Sequence, residues 1–287
     1  MAGFFKELWA DSVLEALIRA MTDTQRVANS IMDYTPFTLG KKASGYNGPT
    51  LSGLTVRSLP ATDKDDPSRS AIAIAFDQKK GCVFALSDID VAQSDVNQLS
   101  ELTAQAAEAL LDDYDAYIAG VMVAGLSSVP GFKNTIADTV GHKITRADFL
   151  DARKKLNQQK APKRMRFCAI HPDLESDLFE IPDFVSRDKI ADTTAMRDGV
   201  IGRCLGFDVI TNADIPKVTT SWSTTAGDRP VALFYSKAAA GWGRQKEYEV
   251  KVAADALIPG DVVNIYSVYG AKVQKPIYMV GYRKDVA

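Results

Sequence analysis

The chain is poor in the residues that most enzymes use for chemistry. Of 287 residues only two are histidine, His142 and His171, and three are cysteine, Cys82, Cys168 and Cys204, all far apart. A zinc centre needs Cys and His ligands at short spacings, and none occurs, so no metal is expected. Scattered thiols in odd number read as reduced, small hydrophobic residues rather than a disulfide framework. The G-x-S-x-G turn that carries a hydrolase nucleophile is missing as well. So is any run of about 18 apolar residues that would span a bilayer. Phe4, Phe5, Leu8 and Trp9 make an apolar start, but Lys6, Glu7, Asp11 and Glu15 interrupt it, which excludes a signal peptide. Charge of one sign is lacking too. The 34 Lys and Arg against 36 Asp and Glu leave a net charge of -2, which argues against a nucleic-acid binder that relies on bulk positive charge.

What is present is hydrophobic patterning: 46% of residues are hydrophobic, enough for the core of one large or two modest domains. The longest segment with a single period is 89–123, where Leu99, Leu102, Ala106, Leu110, Tyr114, Tyr117 and Val121 recur in steps of three and four. Between 93 and 119 there is neither Pro nor Gly, so propensity agrees with the pattern. At about 1.5 Å per residue such a helix is a rod of about 45 Å, longer than a compact core needs. Residues 4–32 predict a second amphipathic helix, with Phe4, Leu8, Trp9, Val13 and Leu17 on one face. Its polar face balances acids and bases, which suits packing on protein rather than on a membrane.

From 35 to 67 the texture changes to Pro and Gly, with one short strand around Leu51, Leu54 and Val56. Then Ile72, Ile74 and Phe76 alternate with Ala, the polar stretch Asp77-Gln78-Lys79-Lys80-Gly81 follows, and Cys82, Phe84 and Leu86 alternate back. These two runs predict a hairpin in which they pair with each other. It has little of its own chain to pack against, so an arm reaching onto another molecule is expected.

Thr145 followed by Asp148 is the signature of a capped helix, carrying Phe149, Ala152 and Leu156. Arg153, Lys154, Lys155, Lys160, Lys163, Arg164 and Arg166 then form a basic cluster, either a solvated face or a contact for phosphate or an acidic neighbour. Strands are expected at 167–170, 231–235, 248–252, 262–273 and 277–282. The glycines of 199–211 fit neither G-x-G-x-x-G nor a P-loop, so they read as turns between strands. Asp112, Asp113 and Asp115 are expected on a solvated acidic face; Asp112, Asp113 and Glu108 are acids that a metal-dependent α+β enzyme, the remaining alternative, would use.

The order of elements resembles a known family. An N-terminal Phe-Lys-Glu-Leu-Trp-Ala-Asp helix, an extended hairpin, Gly-Cys-Val-Phe-Ala-Leu-Ser-Asp-Ile-Asp leading into the long helix, and later Gly-Val-Ile-Gly-Arg-Cys-Leu-Gly-Phe-Asp-Val-Ile-Thr-Asn-Ala-Asp-Ile-Pro before a β-rich end are similar, as an ordered set, to major capsid proteins of tailed bacteriophages with the Hong Kong 97-type fold. The resemblance implies an α+β fold with an N-terminal arm (1–45), an extended β-hairpin loop (46–88), a peripheral domain (89–129 and 261–287) and an axial domain (130–260). It also implies no enzymatic activity and no cofactor. The chain would assemble with itself into hexamers and pentamers around double-stranded DNA bound without sequence specificity, with a separate scaffolding protein and a portal, in the host cytoplasm and with no membrane. Contacts between subunits are expected at Phe4, Leu8, Trp9, Ile72, Ile74, Phe76, Val83, Phe84 and Leu86. Lys64 near the loop tip lacks an identifiable partner for cross-linking, and none is expected. An encapsulin-type compartment shell is the alternative with the same fold.

Overall fold

The computed structural model describes residues 26–39, 45–52, 68–87, 98–126, 133–137, 143–181, 202–219, 221–225, 227–254 and 260–284. In chain order the helices are α1 (Val27–Ser30), α2 (Thr35–Thr38), α3 (Gln98–Ala124), α4 (Arg146–Gln158) and α5 (Glu175–Phe179). The strands are β1 (Met32–Asp33), β2 (Gly45–Ser52), β3 (Ser68–Ala75), β4 (Gln78–Ser87), β5 (Thr135–Ala137), β6 (Arg166–Ile170), β7 (Arg203–Cys204), β8 (Phe207–Thr211), β9 (Val231–Ser236), β10 (Ala240–Ala254), β11 (Gly260–Val273) and β12 (Met279–Arg283).

They build three sheets: four strands in the order β1-β10-β11-β4, six in the order β5-β12-β9-β6-β8-β7, and the two-stranded ribbon β2-β3. Sheet membership departs from the expected division at 260. Strand β10 lies before that boundary yet pairs along its length with β11, and β12 lies after it yet joins β9 in the six-stranded sheet. The chain passes between the two larger sheets three times, from β4 to β5 by way of α3, from β9 to β10 by a tight turn, and from β11 to β12 around Pro276.

Helix α3 runs 27 residues, about 40 Å; residues 88–97 lie outside the described residues. Its buried face is Leu110, Leu111, Tyr114, Ile118, Met122 and Val123. That face is rotated from the expected stripe: Leu102 is 36% exposed, and Tyr117 and Val121 are half-buried. Leu111, Asp115, Ile118 and Met122 give steps of four, three and four, and the aspartate among them hides the true stripe from a reading of hydrophobicity. This face packs on Trp242, Val263, Ile265 and Tyr269 of the four-stranded sheet, and Tyr114 and Tyr269 lie with ring centroids 4.0 Å apart. The helix expected over 4–32 is described only at its end, where α1 is one turn and Ile31 is already extended.

Helix α4 begins as its sequence requires. The Thr145 side chain and the Asp148 carboxylate cap each other's backbone, with Thr145 N–H donating to Asp148 Oδ2 at 2.8 Å. Phe149, Ala152 and Leu156 then enter a second core with Cys168, Ile170, Phe207, Phe234 and Tyr282. Cys168 and Cys204 are buried. The glycine stretch forms the β7–β8 hairpin, whose two turn residues Leu205 (φ 46°) and Gly206 (φ 91°) both take positive φ, as a type I′ turn demands.

Phe149 packs edge-on to Phe234 (4.9 Å) and Phe207 (6.4 Å) with no exposed surface. Phe149→Ala is expected to cost the subunit about 3–5 kcal/mol, read as a lowered midpoint in urea denaturation.

Candidate assembly surface

The expected hairpin is present with different partners. Strand β3 pairs antiparallel with β2, Ile72 opposite Gly48 and Ile74 opposite Tyr46. Strand β4 does not return along β3 but joins β11, Val83 opposite Asn264 and Leu86 opposite Asp261. The five polar residues after Phe76 suggested a local reversal. Instead only Phe76 and Asp77 separate the two strands, and β4 gains a ten-residue partner that no local pattern announces. Where β3 passes β11, Gly270 allows the approach: a Cβ there would lie 1.9 Å from the Ala75 carbonyl oxygen.

The ribbon is thus held to the body at one end. Among the described residues, β2 and β3 pair only with each other, and such a two-stranded ribbon is at best marginally stable in water. Pro49 sits inside β2 opposite Ala71, which an edge strand tolerates because one of its faces needs no N–H donors. At the root, Ile74 (1% exposed) and Phe76 (6%) are covered by their own chain before any neighbour arrives.

Strand β4 alternates as its sequence implies. Cys82 and Phe84 pack towards the core beneath α3, and the Cys82 thiol donates to the Ala106 carbonyl oxygen at 3.8 Å. Val83 points the other way and is 64% exposed. Among the described residues β4 has no partner on its second edge, so a row of backbone donors and acceptors there is available for pairing. The side chains of Ile72 and Leu86, and all of Phe4, Leu8 and Trp9, lie outside the described residues, as does Lys64.

The arm that precedes the ribbon is fastened to the body at its end. Strand β1 lies parallel to β10, Val27 and Ile31 enter the main core, Thr38 Oγ1 donates to the Arg244 carbonyl oxygen at 2.6 Å, and Ser30 and Tyr235 share a hydroxyl contact. The strongest fastening is Asp115, expected in solvent but with a side chain only 1% exposed. Ala28 N–H donates to its Oδ1 at 3.0 Å, Asn212 Nδ2 donates to its Oδ2 at 3.2 Å, and Arg26 Nη1 lies 3.6 Å away. Arm, long helix and the end of β8 therefore meet on one carboxylate. Burial pushes its pKa up to about 6, against the pull of the Ala28 N–H and Arg26. Asp112 and Asp113 are spoken for elsewhere, by Arg26 and by Lys80 with Tyr269.

The cleft beside Asp115, lined by Arg26, Leu111, Tyr114 and Trp242 among others, measures about 10 Å³, enough for one water and far below the ~300 Å³ of a small-molecule site. Among the described residues no group of three Asp, Glu, His or Cys side chains is placed to hold a metal ion. His171 accepts from Asp173 N–H at 3.2 Å and so closes the turn before α5, a structural role.

A family model described as phage capsid protein matches residues 71–281. The chain belongs to the phage capsid protein family. Its fold is similar to that of the solved structure from Mycobacterium phage Che8, at 23% identity and TM-score 0.67 with 89% of each chain covered. The capsid structure of cyanophage P-SCSP1u is 17% identical with TM-score 0.69, over 90% of this chain and 87% of that one. That of Microbacterium phage Oxtober96 is 14% identical with TM-score 0.65, over 91% of each. No curated protein matches the sequence. The fold is the Hong Kong 97-type fold of tailed-phage major capsid proteins, and the protein is a structural subunit that associates with its own copies into an icosahedral bacteriophage shell.

In this capsid protein the buried carboxylate makes stability depend on pH. The Asp115 pKa is raised from 3.8 to about 6 on folding, so the stability it contributes is full below about pH 4 and lost as pH rises through about 6. The shift corresponds to about 3 kcal/mol. Asp115→Asn keeps an acceptor for Ala28 and is expected to flatten the subunit's stability between pH 4 and 6. Denaturant melts across that window, wild type beside variant, read it directly.

Proposed function

We propose that this chain is the principal wall tile of a tailed-phage head, closing as hexamers and pentamers around double-stranded DNA. Its partners would be a separate scaffolding protein and a portal, with assembly in the host bacterial cytoplasm. The observation that carries the reading is the ribbon: 16 paired residues in β2 and β3 that, among the described residues, pair only with each other, with Ile74, Phe76 and Gly270 at the root. A two-stranded ribbon gains stability when a neighbouring tile supplies further packing. The open edge of β4 offers a second place for such a contact.

In the family's terms α3 and the four-stranded sheet would form the peripheral domain, with the six-stranded sheet and α4 as the axial domain whose loops gather at the capsomer centres. A head-to-tail contact between two different surfaces of each copy closes into a ring when the rotation permits. The family match favours a phage head over an encapsulin-type compartment. Negative-stain microscopy of particles assembled with the scaffolding protein, and nuclease treatment of particles from infected cells, test the proposal. A subunit that stays monomeric under every assembly condition would overturn it.

The two hydrophobic positions nearest the ribbon separate folding from assembly. Val83→Glu is expected to leave the subunit within about 0.5 kcal/mol of the wild type while lowering the yield of closed shells. Ile74→Asp, which places a charge at a covered position, is expected to cost the subunit about 3 kcal/mol or more before assembly begins. Urea melts and particle counts on the same preparations distinguish the two; an unchanged shell yield for Val83→Glu would remove β4 from the interface.

A further inference from the structure

One sequence feature takes no part in the assembly just described. Between residues 152 and 172 there are seven Lys and Arg and no Asp or Glu, in a chain whose net charge is -2. The structure divides these seven by role. Lys155 is half-buried, paired with Asp151 at 3.4 Å and donating to the Thr135 carbonyl oxygen at 3.2 Å. Arg166 is buried and structural: its Nε donates to the Pro162 carbonyl oxygen at 2.8 Å, and its Nη2 donates to the Ala161 carbonyl oxygen and to Asn157 Oδ1, each at 2.9 Å. The other five, Arg153, Lys154, Lys160, Lys163 and Arg164, are exposed.

Several lysines and arginines elsewhere on the surface pair with a carboxylate, as in Lys143–Glu180, Lys217–Asp173, Lys284–Asp177 and Arg203–Asp208. None of the five meets a carboxylate among the described residues. They are also held on a defined frame. The loop after α4 turns at Lys160 and again at Met165, both with φ of 55°, a conformation that costs a residue with a side chain about 1 kcal/mol. The buried Arg166 guanidinium fixes the loop carbonyls from within, and Met165 accepts from Lys237 N–H at 3.0 Å, which ties the loop to the β9–β10 turn. Five like charges are thus presented together by a strained, braced loop and the last turns of a helix.

From this geometry we propose that the α4 C-terminal turns and the 160–165 loop form a phosphate-binding platform for the backbone of double-stranded DNA. Phosphodiester chains are read by Lys and Arg without regard to sequence, through charge and counterion release. The composition points away from a protein partner. Cores of protein interfaces are enriched in aromatic side chains and depleted in Lys, whereas the exposed apolar side chains of α4 and this loop are Leu150 and Met165, with no aromatic among them. A few contacts per copy are weak alone. Repeated over many copies they add by multivalency. The proposal rests on the shell reading for where the DNA is found, and on the platform alone for the contact itself.

The test uses the full-length subunit kept unassembled, titrated with a short random-sequence DNA duplex at several salt concentrations. R153Q/K154Q/K163Q/R164Q is compared with the wild type and with the charge-matched control K79Q/K133Q/K251Q/K272Q, whose lysines are exposed elsewhere. The first variant is expected to lose about tenfold or more in affinity and about three to four units in the log–log salt slope, with the K163Q/R164Q pair about halfway. The control should lose less than half as much. Equal losses in both quadruple variants, or none in the first, would overturn the proposal. So would poly-L-glutamate binding the wild type as tightly as the duplex does, or a platform variant that binds DNA normally yet fails to close shells; both would point to a protein contact. Whether the wild type assembles is scored separately by microscopy, so failure of the shell reading is distinguishable from failure of the platform.

Discussion

A carboxylate can be taken out of water only if other groups replace the water. Asp115 meets that condition with an N–H from residue 28, an amide from residue 212 and a guanidinium from residue 26. The donors come from two separate parts of the chain, the arm at residues 26 and 28 and the end of β8 at residue 212, and the acceptor from the long helix. Removing any one leaves a buried charge short of a partner, which costs several kcal/mol in typical cases. The interaction therefore fixes where the arm leaves the body, how the long helix is rotated and where β8 ends.

The same coupling appears in the sheets. Because β10 lies in a different sheet from β9, and β12 in a different sheet from β11, neither sheet can be formed from one continuous stretch of chain. Leu233 and Tyr235 of the six-stranded sheet share a core with Val263, Ile265 and Tyr269 of the four-stranded one. A displacement of one sheet is resisted by packed side chains of the other, and close-packed interiors transmit strain rather than absorb it. Such a plate passes a load from one edge to the other, as a wall tile must.

What could be read from the sequence was whatever the chain states locally. Thr145 and Asp148 are three residues apart and cap a helix whether or not the rest of the protein is known. The short apolar runs at 167–170 and 231–235 are strands for the same reason. The long helix was legible in extent but not in phase, since Tyr117 and Val121 are apolar beside the buried face and Asp115 is polar within it. The pairing of β3 with β2, and of β4 with β11 some 180 residues later, was not legible. Strand partners at that separation are chosen by the closed fold, and an alternating run says only that a partner exists. Of the assembly surface, β4's outward side at Val83 could be read from period 2. The burial of Ile74 and Phe76 could not, because it depends on β11 crossing beneath them.

The subunit leaves some of its structure short of support, and the physics of shells gives a reason. Association costs several kcal/mol in lost motion for each copy, and a tile that gained too much per contact would lock in wrongly placed neighbours. A two-stranded ribbon is marginally stable by itself and is stabilised as it docks. Part of each contact's energy then goes to ordering the ribbon, so a single contact stays reversible. A closed shell meets the ordering cost once per copy and collects every contact around each tile, so its stability rises faster than that of any partial assembly. Weak parts, repeated and correctly placed, thus give a wall that corrects its errors while it grows and resists opening once it is complete.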